Sequence, residues 1–295
     1  MNVIQELQTQ AEILARIKAI MRDSSNNRWT NVEIYEALNQ SLSKWVGRVS
    51  VPSVYTIPDG WQSNVYAYAL PHYIRGHIDV QQKAYTGVQV GDITVDPENG
   101  AFTWVDVPAW EVEPDGSGGE VLRLGALPYS VDGRVIFWAA NGPVPTTVPT
   151  TSAAITDVAA TSLTLTGVPM IGASGFIKID QEWMSYAGYT QSATITTLQN
   201  LVRGLNGTTA ATHLITTACY WGVAAFRADL FSQLNDQIRA FLFALFLTDA
   251  SPLEKEHHTF QMRFWQQSAD EYWRRFVPNR PAKFRHSRQS LGGRR

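Results

Sequence analysis

Thr30-Asn31-Val32-Glu33-Ile34-Tyr35-Glu36-Ala37-Leu38-Asn39 is the stretch on which the reading of the whole chain turns. Threonine followed three residues later by glutamate is a capping box. The Thr30 hydroxyl accepts from the backbone N–H of Glu33, and the Glu33 carboxylate reaches back to the N–H of Thr30. Tyr35, Leu38, Leu42 and Trp45 then recur at three- and four-residue spacing and share one helical face. Gly47, with Pro52 beyond it, marks where that helix stops. Upstream, Ile4, Leu7, Ala11, Leu14, Ile17 and Met21 form a stripe of the same period, which predicts a first helix beginning near Ile4.

The far end repeats this pattern. Phe226, Leu230, Leu234, Ile238, Phe241 and Leu245 make a long apolar stripe, and Ser251-Pro252-Leu253-Glu254 is a second capping box with proline at the first helical position. The helix after it carries Phe260, Phe264, Tyr272, Trp273 and Phe276. Between the two ends the period changes to two. Val88–Val95, Ala101–Val107, Val121–Leu124 and Arg134–Ala139 are short β-branched and aromatic runs. Pro58-Asp59-Gly60, Glu98-Asn99-Gly100 and Val131-Asp132-Gly133 supply turns between them, and Asp115 to Gly119 reads as a loop tip. After a stiff Pro/Thr stretch, Gly142 to Thr151, a second strand-rich region runs to a closing strand at Ala218–Trp221.

Four amphipathic helices, two from each end, predict an α+β protein whose four-helix bundle is formed by both chain ends, with antiparallel β domains inserted. The expected boundaries are 1–48 for the N-terminal helix pair, 49–144 for the first β domain and 145–222 for an inserted β module. The C-terminal helix pair is 223–277, and 278–295 is a basic tail. That tail carries Arg280, Lys283, Arg285, His286, Arg288, Arg294 and Arg295 with no acid. It reads either as a tether for a partner surface or DNA phosphates, or as a solubilising end.

Composition narrows the function classes. At 44% hydrophobic, the 295-residue chain has ample material for a core, while its 17% charged residues fall below the typical ~25%. Few charges with many aromatics suit a surface covered by neighbours, and equally a β-rich core. A net charge of −2 supplies no global field for nucleic acid. A single cysteine, Cys219, excludes an intrachain disulfide and a cysteine zinc cluster, and its apolar strand predicts a buried thiol. Met1 to Arg22 mixes charges throughout, unlike a signal peptide, and Phe241 to Leu247 is too short for a membrane span. The chain reads as soluble and made in a reducing compartment, with no cofactor expected.

Searching for catalysis yields little. No phosphate-binding glycine loop, nucleophile elbow or zinc-protease motif occurs. His257-His258 are adjacent, so their rings leave different helix faces and do not readily share a metal. Asp180 and Glu182 lie two apart on an expected strand and so share a face. Such a carboxylate pair could serve glycoside hydrolysis, although solvated charges on an exposed strand are the ordinary reading.

Two segments carry a resemblance. Arg28-Trp29-Thr30-Asn31-Val32-Glu33-Ile34-Tyr35-Glu36-Ala37-Leu38-Asn39 resembles the opening of head-to-tail adaptor, or connector, proteins of tailed bacteriophages. Gly175-Phe176-Ile177-Lys178-Ile179-Asp180-Gln181-Glu182-Trp183-Met184-Ser185-Tyr186 with Leu201-Val202-Arg203-Gly204-Leu205-Asn206-Gly207-Thr208-Thr209-Ala210-Ala211-Thr212-His213 is similar to a β module common in phage virion proteins. Gly204 and Gly207 there suit tight turns, and Ala210-Ala211 suits a close approach of backbones.

The resemblance implies a non-enzymatic structural protein of the virion neck, synthesised in the host cytoplasm. It implies a homo-oligomeric ring, commonly a dodecamer, bound to the portal and to a tail or nozzle protein. Double-stranded DNA would pass through its lumen during ejection without sequence-specific binding, and no membrane is involved. By position, the tail residues Arg280, Lys283, Arg285, Arg288, Arg294 and Arg295 become the expected portal contacts. The rival expectation is a carbohydrate- or receptor-binding module stacking sugars on Trp61, Trp104, Trp110 and Trp183.

Overall fold

The structure is a computed structural model. It describes residues 6–23, 25, 28–46, 48–57, 59–71, 74, 78–85, 102–107, 109–116, 119–125, 130–167, 169–225, 227–247 and 250–275, those of 83–85 and 102–104 by backbone only. In chain order the elements begin with β1 (Glu6–Thr9), α1 (Gln10–Met21) and α2 (Asn31–Trp45). Seven strands follow: β2 (Val51–Thr56), β3 (Ala67–Leu70), β4 (Ile78–Tyr85), β5 (Phe102–Asp106), β6 (Trp110–Pro114), β7 (Glu120–Leu124) and β8 (Gly133–Ala139). The second strand region comprises β9 (Ser162–Thr166), β10 (Ser174–Ile179), β11 (Glu182–Ala187), β12 (Tyr189–Gln191), β13 (Ile195–Gln199), β14 (Val202–Leu205) and β15 (Cys219–Ala225). Helices α3 (Asp229–Leu245) and α4 (Pro252–Arg275) complete the described chain.

Both capping boxes around the first two helices form. Thr30 N–H donates to Glu33 Oε2 at 2.7 Å while the Glu33 N–H donates to Thr30 Oγ1 at 3.3 Å. Thr9 and Glu12 make the same exchange at the start of α1. The first helix therefore begins at Gln10 rather than near Ile4. Residues 6–9 are instead a strand, paired antiparallel with β15 from Glu6↔Ala225 to Thr9↔Gly222. Ser251 caps α4 through Glu254 as expected. Phe226 and Phe276, expected on the C-terminal stripes, and the Val88–Val95 run lie outside the described residues.

The four-helix bundle expected from the two chain ends does not form. Strand outweighs helix, and the helices, which also pack on one another (α2 on α3, α3 on α4), share their core with a sheet of order β1-β15-β10-β11-β14. Ile13, Ile17, Leu38, Leu42, Leu230 and Leu234 belong to one buried cluster with Ile177, Ile179, Met184, Trp221 and Val223. Period-2 alternation puts Ile177 and Ile179 on the helix-facing side, whereas Phe176 packs with Val51, Trp183 and Ala224 on the other. An amphipathic helix needs an apolar partner of any kind, and the sheet offers a broader one than another helix would. Helix α4 does not close a bundle either, since Ala269 is its only buried residue.

The segment expected as a separate insertion, 145–222, supplies 12 of the 31 buried residues of that core. Its Pro/Thr entry is fastened to the helices. Asn39 Nδ2 donates to Val144 O at 2.9 Å and its Oδ1 accepts from the Val144 N–H at 2.7 Å. Gln10, wholly buried, donates to Pro145 O and accepts from the Trp221 N–H. Among the described residues, those up to Val51 and from Ala139 to Arg275 cluster as one compact unit and those from 52 to 138 as another. The second unit holds two antiparallel sheets, β2-β8-β4-β5 and β3-β7-β6, with Trp61 fully buried at its centre. The loop between β6 and β7 is the expected tip, closed by the Gly119 N–H on Asp115 Oδ1.

Candidate functional site

The carboxylates singled out in the sequence meet a third group that the sequence did not single out. β10 and β11 form a hairpin in register Ile179↔Glu182, turned through Asp180 at φ 50°, a left-handed conformation that aspartate tolerates. β14 pairs with β11 across a bulge and carries Arg203 and Gly204. Gly204 and Gly207 both adopt positive φ, as the expected turns require. A Cβ on Gly204 would sit 3.1 Å from the Ala210 nitrogen, so the loop doubles back closely there. The loop ends at His213, whose backbone exchanges two hydrogen bonds with Ile155.

Everything in this loop converges on Glu182, which is 2% exposed. Arg203 Nε donates to Oε1 and Nη2 to Oε2, both at 2.7 Å, a bidentate fork. The backbone N–H groups of Gly204 (3.1 Å) and Ala211 (3.0 Å) donate to the same two oxygens. His213 Nε2 lies 2.8 Å from Glu182 Oε2, and its Nδ1 lies 2.8 Å from Asp180 Oδ2. Each ring nitrogen thus faces a carboxylate. Burial alone would raise the Glu182 pKa, but Arg203, the Ala211 N–H, His213 and the Gly204 N–H together bring it down to about 2.

Chemically Glu182 is the centre of a clasp. A general acid must hold a proton near working pH, and Glu182 is held ionised with both oxygens already accepting, which does not suit it to that role. The ordinary reading of solvated strand charges is also corrected: the Asp180 side chain is 58% exposed, but Glu182 is buried. Arg203 and His213 lie inside the stretch whose resemblance was noted, where the only legible signal was the charge pattern around its glycines.

Two of the four tryptophans expected to stack sugars are buried. Trp61 is fully buried, with its Nε1 donating to Gln81 O at 2.9 Å and its ring edge-on to Tyr68. Trp183 is 5% exposed, Trp110 is half-buried, and the Trp104 side chain lies outside the described residues. Cys219 is fully buried, and burial pushes its thiol pKa upward. His258 stacks on Phe246 with ring centroids 5.2 Å apart, and His257 meets it edge-on. The basic residues Arg280, Lys283, Arg285, Arg288, Arg294 and Arg295 lie outside the described residues.

One surface carries apolar side chains without cover among the described residues. On α4, Leu253, Phe260 and Phe264 recur at spacings of seven and four, forming one stripe. They are 79%, 63% and 51% exposed. The opposite stripe, Met262, Trp265, Tyr272 and Trp273, packs on the core. The helix thus has two apolar faces, one of them turned outward, with Phe260 and Phe264 stacked on each other at 6.4 Å. No family model, curated protein or solved structure matches the chain.

Proposed function

We propose that the protein is a structural virion component, a head-to-tail adaptor of a tailed bacteriophage whose copies form a ring, commonly of twelve, beneath the portal. The observation that carries this reading is the outward stripe of Leu253, Phe260 and Phe264 on α4. Exposed aromatics in one stripe mark interaction surfaces, because leaving them in water forgoes the gain from burial. The resemblance of the Arg28–Asn39 and Gly175–His213 stretches to phage neck and virion proteins supports the same reading.

In this reading one end of the ring meets the portal and the other a tail or nozzle protein, after synthesis in the host cytoplasm. Double-stranded DNA passes the lumen without sequence-specific contact, for which a net charge of −2 is suitable, since a strongly basic channel would hold phosphates. The tail from 278 docks on the portal. The test is native mass spectrometry with negative-stain imaging of the full chain, alone and with purified portal rings. Closed rings, or a ring captured on the portal, are expected. A chain that stays monomeric at high concentration and does not bind the portal overturns the reading.

A further inference from the structure

A second feature of the helical layer shares only Leu253 with the outward stripe of α4. Between the end of α1 with the start of α2 and the junction of α3 with α4 runs a groove of about 970 Å³. That is the upper end of the range of about 300–1,000 Å³ usual for ligand pockets, and more than a single small acid fills. Its walls are aromatic: Trp29 lies edge-on to Phe243 at 5.8 Å and tilted to Phe246 at 5.2 Å. In this setting sits Arg239, 9% exposed, with its guanidinium 4.1 Å over the Trp265 ring.

Arg239 makes no hydrogen bond among the described residues. Its Nε is buried without a partner, and its one acid neighbour, Asp236, stands 3.5 Å away while accepting from Ser268 Oγ at 2.8 Å. Trp29 Nε1 and His258 Nδ1, lining the same groove, are also buried without partners. The two carboxylates of the groove are committed to helix caps. Glu33 accepts from the Thr30 N–H and hydroxyl, and Glu254 from those of Ser251. Neither can turn to Arg239 without uncapping a helix. Arg28 at the mouth has no ion pair among the described residues. A buried guanidinium fork with open donors, stacked on an indole, is suited to a planar anion.

We propose that this groove seats an apolar segment of a neighbouring protein chain that carries an aspartate or glutamate, whose carboxylate pairs with Arg239. The rim favours a peptide over a nucleic acid: its exposed residues include the aliphatic Ile20, Leu245 and Leu253, 41%, 43% and 79% exposed, beside Arg28, Glu254 and His257. Glu33 and Glu254 line the groove too, so one carboxylate placed at Arg239 suits it better than a phosphate chain charged at every unit.

The test uses the full-length protein and three probes. The first is a fluorescein-labelled amphipathic peptide of repeating leucine and glutamate, with its glutamine counterpart. The second is 4-phenylbutyrate, and the third a labelled twelve-nucleotide oligothymidine. Fluorescence anisotropy should show the glutamate peptide binding at least tenfold tighter than the glutamine peptide. Arg239→Lys and Arg239→Met should remove that preference, and the exposed-site variant Arg28→Gln should reduce it in a chain whose core is untouched. The indole N–H resonance of Trp29, assigned with Trp29→Phe, should shift on adding the glutamate peptide. Equal affinity for both peptides, or a preference that survives in all three arginine variants, overturns the proposal. So does phenylbutyrate binding as tightly as the glutamate peptide, or oligothymidine displacing that peptide. These readouts do not depend on assembly, so their failure would leave the ring reading untouched, and a monomer would leave this one standing.

Discussion

Arg203 and Glu182, twenty-one residues apart, meet through two parallel hydrogen bonds of 2.7 Å with side chains 6% and 1% exposed. The pair links β14 to the start of β11, and the backbone amides of Gly204 and Ala211 complete the carboxylate's shell. A buried ion pair gives little net stability over a well-packed apolar pair, but losing one partner strands a charge.

Glu182→Gln is therefore expected to destabilise the protein by about 3–5 kcal/mol, because Arg203 is left buried and uncompensated. The double variant Glu182→Gln/Arg203→Met should cost far less than the sum of Glu182→Gln and Arg203→Met made singly. Urea titrations of the four proteins measure both. Additive losses would remove the pair's claim to hold the module.

The same carboxylate sets an acid limb. Its folded pKa of about 2 lies below the ordinary 4.5, so its contribution is complete above the unfolded value and is lost as pH falls through about 2. Unfolding free energy should drop between about pH 4.5 and pH 2, and the slope there should flatten in Glu182→Gln. Denaturant midpoints taken across that window check the difference between the two proteins.

Helices and sheet share one core, which predicts one transition for both. Leu38→Ala on α2, Leu234→Ala on α3 and Ile177→Ala on β10, all fully buried, should each cost about 2–5 kcal/mol. All three should lower the same cooperative step in calorimetry. A second step moved only by Ile177→Ala would separate the β module from the helices.

The outward face of α4 should matter to assembly and not to folding. Phe260→Ser with Phe264→Ser should leave chemical stability within about 0.5 kcal/mol, since both rings are more than half exposed. Analytical ultracentrifugation should show the oligomer lost. Rings that persist in this variant would move the interface elsewhere.

In the unit of residues 52–138, a Cβ built at Gly133 would overlap the buried Trp61 indole. Gly133→Ala is expected to cost about 1–3 kcal/mol by overpacking, and Trp61→Phe in the same chain should recover part of it. Thermal melts of the single and double variants decide this.

What could be read along the chain was local. Thr30 and Glu33 are three residues apart, so the cap between them needs no knowledge of the rest, and the same holds for Ser251 and Glu254. The left-handed turn at Asp59-Gly60 and the turn glycines Gly204 and Gly207 were legible for the same reason. The stripes of α2 and α3 announced that they would be buried. They did not announce against what, because a face rich in Leu and Ile packs as well on a sheet as on another helix.

The sequence by itself thus determined the capped helix starts, the turns and which faces avoid water, since each depends on groups within a few residues. Only the tertiary structure decided that residues 6–9 are a strand, through the edge that β15 offers them. It also decided that the α1 and α2 stripes share one core with a sheet, and that Glu182 is buried and ionised among donors 21 to 31 residues away. Those outcomes are set by long-range pairing and by the desolvation that follows it, and neither has a local signature in the order of the residues.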